Sequence, residues 1–255
     1  MIKALYNYRE LLKSNIKKEI RGKYKGSFLG VLWSFVNPLL TVLVYALVFP
    51  FILKNRPDNY LVYLIVGMLP WTFFTTVINQ GTFTILGNAG IIKKVYFPRE
   101  ILPISVVASG LVNFMISCII ILIFLIFTGI GISWYILLFP FIVLIQCLLS
   151  LGIIFITSAI NVYVRDAEYI ITFILNMLFY ATPILYDPAT FGNKFQWIFQ
   201  LNPMAIIIGG YRDVLFYQQM PNIQSLLILF ATSMLLLFAG IGIFRKLEKG
   251  FAEEV

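Results

Sequence analysis

The sequence predicts an all-α polytopic membrane protein with an N-terminal amphipathic interfacial helix, six transmembrane helices and short reentrant helices in the last outer loop. Three observations carry that class. The 255 residues are 60% hydrophobic and 12% charged, whereas a soluble globular domain is about 25% charged because its surface must stay solvated. The charges cluster between neutral runs long enough to cross a bilayer, which takes about 20 apolar residues. The Lys and Arg residues gather on alternate connections, the pattern of cytosolic loops. With a mean hydropathy of +0.93, the chain reads as one transmembrane domain over residues 1–255.

Residues 1–27 hold eight Lys and Arg residues and no apolar core of signal-peptide length, so a cleavable leader is not expected. Leu5, Tyr8, Leu12, Ile16 and Ile20 recur at helical spacing, and Lys13, Lys17, Arg21 and Lys25 fall on another face. A helix of this kind lies along the cytosolic membrane surface. It serves as a topology anchor, as a receptor for an anionic phosphate through Arg21, Lys23, Tyr24 and Lys25, or as both.

The spans are placed at 28–53, 60–82, 101–128, 134–163, 169–186 and 223–244. In the second, Asn79, Gln80 and Gly81 indicate that the buried part ends before the run does. The charge-free stretch from Ile101 to Val164 is too long for one crossing, and Gly129-Ile-Gly131-Ile-Ser133 divides it. The run Phe195 to Tyr211 is interrupted by Gln196, Gln200, Asn202, Pro203, Gly209 and Gly210. It therefore reads as short helices dipping into the outer face, within an outer region 187–221, since broken backbone at membrane depth is tolerated only against protein. Six spans put both termini and the Arg245, Lys246 and Lys249 tail in the cytosol, and leave Lys54, Arg56, Lys194 and Arg212 outside.

The run Arg21-Gly-Lys-Tyr24-Lys-Gly-Ser27-Phe-Leu29-Gly30-Val-Leu-Trp33-Ser-Phe-Val-Asn37-Pro38 resembles the first-span signature of ABC export permeases for cell-surface polysaccharides and teichoic acids. The resemblance continues through Phe97-Pro98-Arg99-Glu100 before the third span, Arg165-Asp166 before the fifth, and Asn202-Pro203 in the last outer loop. It implies a bacterial inner-membrane homodimer joined to two copies of a separate ATPase. The implied cargo is an O-antigen or teichoic acid on an undecaprenyl diphosphate-type lipid. No phosphate-cradling loop of the Gly-x-x-x-x-Gly-Lys-Ser/Thr form occurs, so ATP and Mg are expected on the partner and no cofactor on this chain. Without His, and with Cys118 and Cys147 inside spans, no metal site or disulfide framework is expected. Nothing suggests a nucleic-acid partner; membrane lipids surround the chain.

Asn88 to Pro98 reads as a short helix with Ile91, Ile92, Val95 and Phe97 available to pack, while Lys93 and Lys94 stay solvated. By resemblance this stretch, Tyr96 included, is the coupling element seated in the ATPase; the alternative is an ordinary loop. Arg165, Asp166 and Glu168 cap the fifth helix, touch the partner, or both. Aromatic side chains stack on the C–H faces of sugars, which makes Trp33, Tyr45, Phe49, Trp71, Phe73, Phe74, Phe179, Tyr180 and Tyr186 candidate translocation-path residues. The same rings also suit interfacial belts and lipid contact. Asn37, Asn113, Gln146 and Asn176 read as inter-helix hydrogen bonders.

Other classes fit less well. A membrane-embedded lipid transferase needs catalytic carboxylates or His near the interface, and the only acidic cluster facing the cytosol between spans, Asp166 and Glu168, comes without His or a metal motif. A channel or secondary carrier needs pore charges or a midplane ion site, and no charge is assigned to the middle of a span. A permease for phospholipid or drug export shares the architecture and is the nearer alternative.

Overall fold

A chain this apolar must satisfy its backbone within each segment, and helices do so in lipid. The computed structural model describes residues 7–24, 28, 30–52, 57–189 and 196–254. Every extended regular element among them is helical. α1 covers Arg9–Tyr24, α2 Trp33–Ile52, α3 Tyr60–Gly87, α4 Ala89–Ile92, α5 Ile101–Phe127 and α6 Phe139–Tyr163. Then come α7 at Ala167–Ala181, α8 at Gln196–Leu201, α9 at Pro203–Leu215, α10 at Ile223–Leu247 and a last turn, α11, at Phe251–Glu254.

Among the described residues, four helical stretches are long and apolar enough to cross a membrane: Tyr60–Gly87, Ile101–Phe127, Trp134–Tyr163 and Ile223–Gly250. Two shorter apolar helices accompany them. α2 has 20 residues, about 30 Å at 1.5 Å per residue, and α7 has 15, about 22 Å.

The boundaries follow local chemistry. Gly129 and Gly131 take φ of 74° and 77° in the turn after α5, a region costly for side-chain-bearing residues. The Ser133 hydroxyl then accepts from the Tyr135 N–H at 3.3 Å and starts the next helical turn. Two boundaries differ from expectation. The fifth apolar run does not stay helical to Tyr186: α7 stops at Ala181 and Thr182 is extended, because Pro183 disfavours helical backbone in the residue before it. The second run stays buried beyond Asn79, Gln80 and Gly81, with Gly81, Thr82, Thr84 and Ile85 all buried. A Cβ on Gly81 would lie 2.5 Å from Ile154, so this glycine admits a close neighbour instead of ending the helix.

α3 is the central element, packed by α5 and α6 along its length and by α2, α7 and α9 in part. α10 covers the other side of α6, and the two approach at Gly152 and Gly240, where a Cβ on Gly240 would meet the Gly152 oxygen at 2.6 Å. Small residues allow such approach in helix bundles that lack a hydrophobic drive to associate. Polar pins run through the core. Gln146 donates from Nε2 to the Pro70 carbonyl at 2.8 Å and accepts the Tyr211 hydroxyl at 2.9 Å, joining α6, α3 and α9. Thr82 donates to Thr157 at 2.9 Å, and Asn161 donates to the Thr82 carbonyl at 3.2 Å. Of the other polar residues expected to bond between helices, Asn37 and Asn176 are exposed on the surface of the bundle.

The two ends of the bundle differ. At the basic end α1 lies against α5 with Asn15 buried and Lys13 and Lys17 exposed. At the opposite, far end α8 packs on α9, which in turn packs on α3, α6 and α10.

Candidate functional site

α2 and α7 each carry exposed apolar residues, Leu40, Leu43 and Leu47 on one and Ile170, Phe173 and Met177 on the other. Tyr45 stacks on Phe179 at 6.1 Å between them, and Phe49 meets the Tyr45 ring edge-on at 5.5 Å. Tyr180 is 69% exposed and touches Phe179, and Trp33 is also exposed. Tyr186 is half-buried and donates to the Tyr180 carbonyl at 3.0 Å. The remaining candidate path residues sit inside the helix bundle. Trp71 is 5% exposed behind Phe179, at 5.7 Å, while Phe73 stacks on buried Phe114 at 5.1 Å and Phe74 is equally enclosed. The sequence placed all of these rings but Tyr186, which lies beyond the end of α7, in the right helices, and could not tell which face they occupy.

The far end is held by the break after α7. Asn202 is the N-cap of α9, its Oδ1 accepting from the Met204 and Ala205 N–H groups at 3.0 and 3.3 Å. Its Nδ2 donates to the Thr182 hydroxyl at 2.9 Å and the Ala181 carbonyl at 3.3 Å. Asn202-Pro203 thus starts a helix, with Pro at the favoured first position, and ties that helix to the end of α7. Tyr60 and Tyr63 donate to the Leu185 and Tyr186 carbonyls at 2.7 and 2.8 Å. Arg212, expected on the outer side, is 3% exposed. Its guanidinium donates to the Pro183 and Ile184 carbonyls, which the break in α7 leaves without helical partners, and lies 3.5 Å over the Tyr63 ring. Gly67 makes the room: a Cβ there would stand 2.7 Å from an Arg212 nitrogen. The one available signal was its position at the end of the uncharged run Ile206–Tyr211, next to Asp213.

At the basic end, the stretch after α3 has helix only at α4, followed by turn and extended backbone. Ile92 and Phe97 pack inward with Phe155, Phe244 and Phe251. Ile91, Lys93, Lys94 and Val95 face out, and Tyr96 is 92% exposed. The expected packing set therefore divides, with Ile92 and Phe97 anchoring and the rest presented. Phe97-Pro98-Arg99-Glu100 is clamped to the end of α10: Arg99 donates to the Glu248 carbonyl, and Arg245 pairs with Glu100 at 3.1 Å. Lys18 of α1 donates to Asn88 Oδ1 at 2.8 Å, which the sequence did not signal. Arg165 and Asp166 are exposed, Asp166 makes no side-chain cap bond to α7, and Asn161 instead accepts the Glu168 N–H at 3.2 Å. On α1, the hydrogen bond from Lys13 holds the Glu10 carboxyl below its usual pKa. The side chains of Arg21, Lys23, Tyr24 and Lys25 lie outside the described residues.

Residues 10–216 match the family described as ABC-2 type transporter. The chain is 36% identical to the "O-antigen export system permease protein RfbA" of Myxococcus xanthus over 257 residues, covering 100% of this chain and 99% of that one. It is also 36% identical to the protein of the same name from Klebsiella pneumoniae, covering 99% and 98% of the two chains. To the "Polysialic acid transport protein KpsM" of Escherichia coli it is 24% identical, over 91% of each. An all-helical bundle with four helices of membrane-crossing length and a family match over most of its residues is a multi-pass membrane protein, and this chain belongs to the ABC-2 type transporter family.

Proposed function

We propose that this chain is the permease subunit of an exporter that moves a lipid-linked polysaccharide from the cytosolic to the outer side of a bacterial inner membrane. The observation that carries this reading is end-to-end similarity to permeases named for O-antigen export. Six crossings, with α2 and α7 as the shorter pair, put the basic end and both termini in the cytosol. Two protomers meet through the α2 and α7 faces and enclose a path on which Trp33, Tyr45, Phe49, Phe179, Tyr180 and Tyr186 stack against sugar rings. Trp71, Phe73 and Phe74 support that wall from within. A polymer passing by many identical units is served by rings that stack without strict hydrogen-bond geometry.

Two copies of a separate ATPase bind ATP and Mg and dock on Ile91, Lys93, Lys94, Val95 and Tyr96, with Arg165, Asp166 and Glu168 as the neighbouring contact. The clamp from Arg99 and Glu100 to α10 passes the motion of that surface into the bundle. Arg21, Lys23, Tyr24 and Lys25 receive the diphosphate of an undecaprenyl-type carrier beside the membrane, where cations meet little competing water. α8 and α9 close the outer mouth.

The test is reconstitution of the complex in proteoliposomes with polyprenyl diphosphate-linked glycans, scored by stimulated ATP hydrolysis and by appearance of glycan on the far side. Both are expected. Stimulation by phospholipid alone, with no glycan moved, overturns the reading in favour of lipid export.

A further inference from the structure

Over its later turns the central helix α3 is open along one strip, and that strip is polar. Between Trp71 and Thr82 the residues that are not buried are Thr72, Thr75, Thr76, Asn79 and Gln80, which share one face at 3.6 residues per turn. Every exposed residue of α5 is apolar by contrast, from Val112 and Met115 to Ile126 and Phe127. Lipid accepts a face like that of α5. An amide side chain in hydrocarbon needs a hydrogen-bond partner or water. The Thr75 hydroxyl is satisfied by the Trp71 carbonyl of its own helix at 3.1 Å, so the unmet demand lies with the carboxamides.

Gln80 on α3 and Asn176 on α7 are both exposed, and neither side chain makes a hydrogen bond among the described residues. Gln80 lies seven residues before the end of α3 and Asn176 nine after the start of α7. These are about 10 and 14 Å along their helices, within a bilayer core of about 30 Å when those helix ends stand at its boundary. α7 meets the strip along one edge: its Phe179 lies 5.7 Å from Trp71, and its Thr172 hydroxyl reaches Asn79 Oδ1 at 3.0 Å. Asn176 stands one helical turn before the exposed Tyr180, so the amides continue the line of candidate path rings toward the basic end.

A glycan has two kinds of surface. Its C–H faces stack on rings, while its hydroxyl edges require donors and acceptors, and a carboxamide offers both without a charge. Tyr45, Phe179 and Tyr180 meet the first need, and the α3 strip with Asn176 meets the second. We infer that this strip, with Asn79, Gln80 and Asn176 as its hydrogen-bonding groups, is the wet basic-end wall of the glycan path, where sugar hydroxyls are held before the rings are reached. The inference rests on the export reading above and assigns the share of α3 in that path to its polar strip, with Trp71, Phe73 and Phe74 behind it.

The test uses the complex with its ATPase in proteoliposomes, Cys118 and Cys147 being replaced by Ala. Gln80→Cys, Asn176→Cys and, as the lipid-facing control, Ile119→Cys are treated one at a time with a trimethylammonium thiosulfonate, which reacts only where water reaches the thiol. Gln80→Cys and Asn176→Cys are expected to react at least ten-fold faster than Ile119→Cys. Polyprenyl diphosphate-linked glycan added without ATP is expected to slow both at least three-fold, and polyprenyl diphosphate without glycan to leave them unchanged. Gln80→Leu with Asn176→Leu is expected to lower glycan export at least five-fold, with the co-purified ATPase and the thermal midpoint unchanged, since both side chains are exposed. Four results overturn the assignment: equal labelling at all three sites, labelling that the glycan does not slow, a disulfide between copies in place of labelling, or undiminished export by the leucine variant. While the unmodified complex exports glycan, each of these overturns the strip alone. An unmodified complex that moves no glycan overturns the export reading.

Discussion

Gln146 sits where α3, α6 and α9 meet, and its amide uses both ends: Nε2 on the Pro70 carbonyl and Oε1 on the Tyr211 hydroxyl. Gln146→Leu removes both and leaves a buried hydroxyl stranded, at a cost expected to be about 1–2 kcal/mol on the scale of inter-helix hydrogen bonds in membranes. Tyr211→Phe on the Gln146→Leu background should cost less than Tyr211→Phe alone, since the stranded group is then gone. Unfolding in mixed micelles as a double-mutant cycle measures this, and equal costs would show that the two side chains do not act as a pair. Gln146 was legible as an inter-helix bonder because a polar residue amid apolar ones needs a partner. Arg212 was not, because its acceptors come from a chain break 28 residues earlier that only the folded arrangement brings beneath it. The aromatic residues divide at this scale too. Tyr180→Ala removes an exposed ring and is expected to lower glycan export several-fold while leaving assembly with the ATPase unchanged, as scored by co-purification and vesicle transport. Trp71→Ala empties a buried site and is expected to lower both together.

Among the helices, α6 and α10 make the most extensive contact and depend on backbone approach at Gly152 and Gly240. Gly240→Ala puts a methyl 2.6 Å from the Gly152 oxygen, and overpacking of this kind costs about 1–3 kcal/mol. Gly242, on the same helix, has nothing within 4 Å of its would-be Cβ and serves as the control. Gly240→Ala is expected to lower the thermal midpoint in detergent and Gly242→Ala to leave it nearly unchanged; equal shifts would mean that helix propensity, not contact, sets the response. The long apolar runs and the Gly129–Gly131 turn were legible because length and φ requirement are properties of the local chain. The division of Asn88 to Pro98 into an anchored and an exposed set was not, because Ile92 and Phe97 find their partners on α6, α10 and α11. The exposed set yields a test of partner docking. Lys93→Glu with Lys94→Glu is expected to weaken association with the ATPase at least ten-fold in pull-downs from detergent, while the clamped Arg99 and Glu100 keep the segment folded. An undiminished complex would remove these lysines from the docking surface.

For the whole molecule, the far end poses the question that a single protomer cannot answer by itself: whether α8 and α9 move. The case for a fixed plug is that α9 is tied to α7 through Asn202 and Thr182 and to α6 through Tyr211 and Gln146. The case for a gate lies in α8, a six-residue helix with Trp197 and Leu201 exposed, Leu201 by 75%. The gating reading takes α9 as the frame and α8 as the part that swings about Asn202, where the backbone leaves helical geometry between the two helices. With Cys118 and Cys147 first replaced by Ala, Leu201→Cys places one thiol on α8 of each copy in the proposed homodimer. Crosslinking the pair is expected to stop glycan export while leaving the ATPase bound, and reduction is expected to restore it. A crosslinked complex that exports at the unmodified rate would make α8 a static cover, with the opening then assigned to separation of the α2 and α7 faces below it.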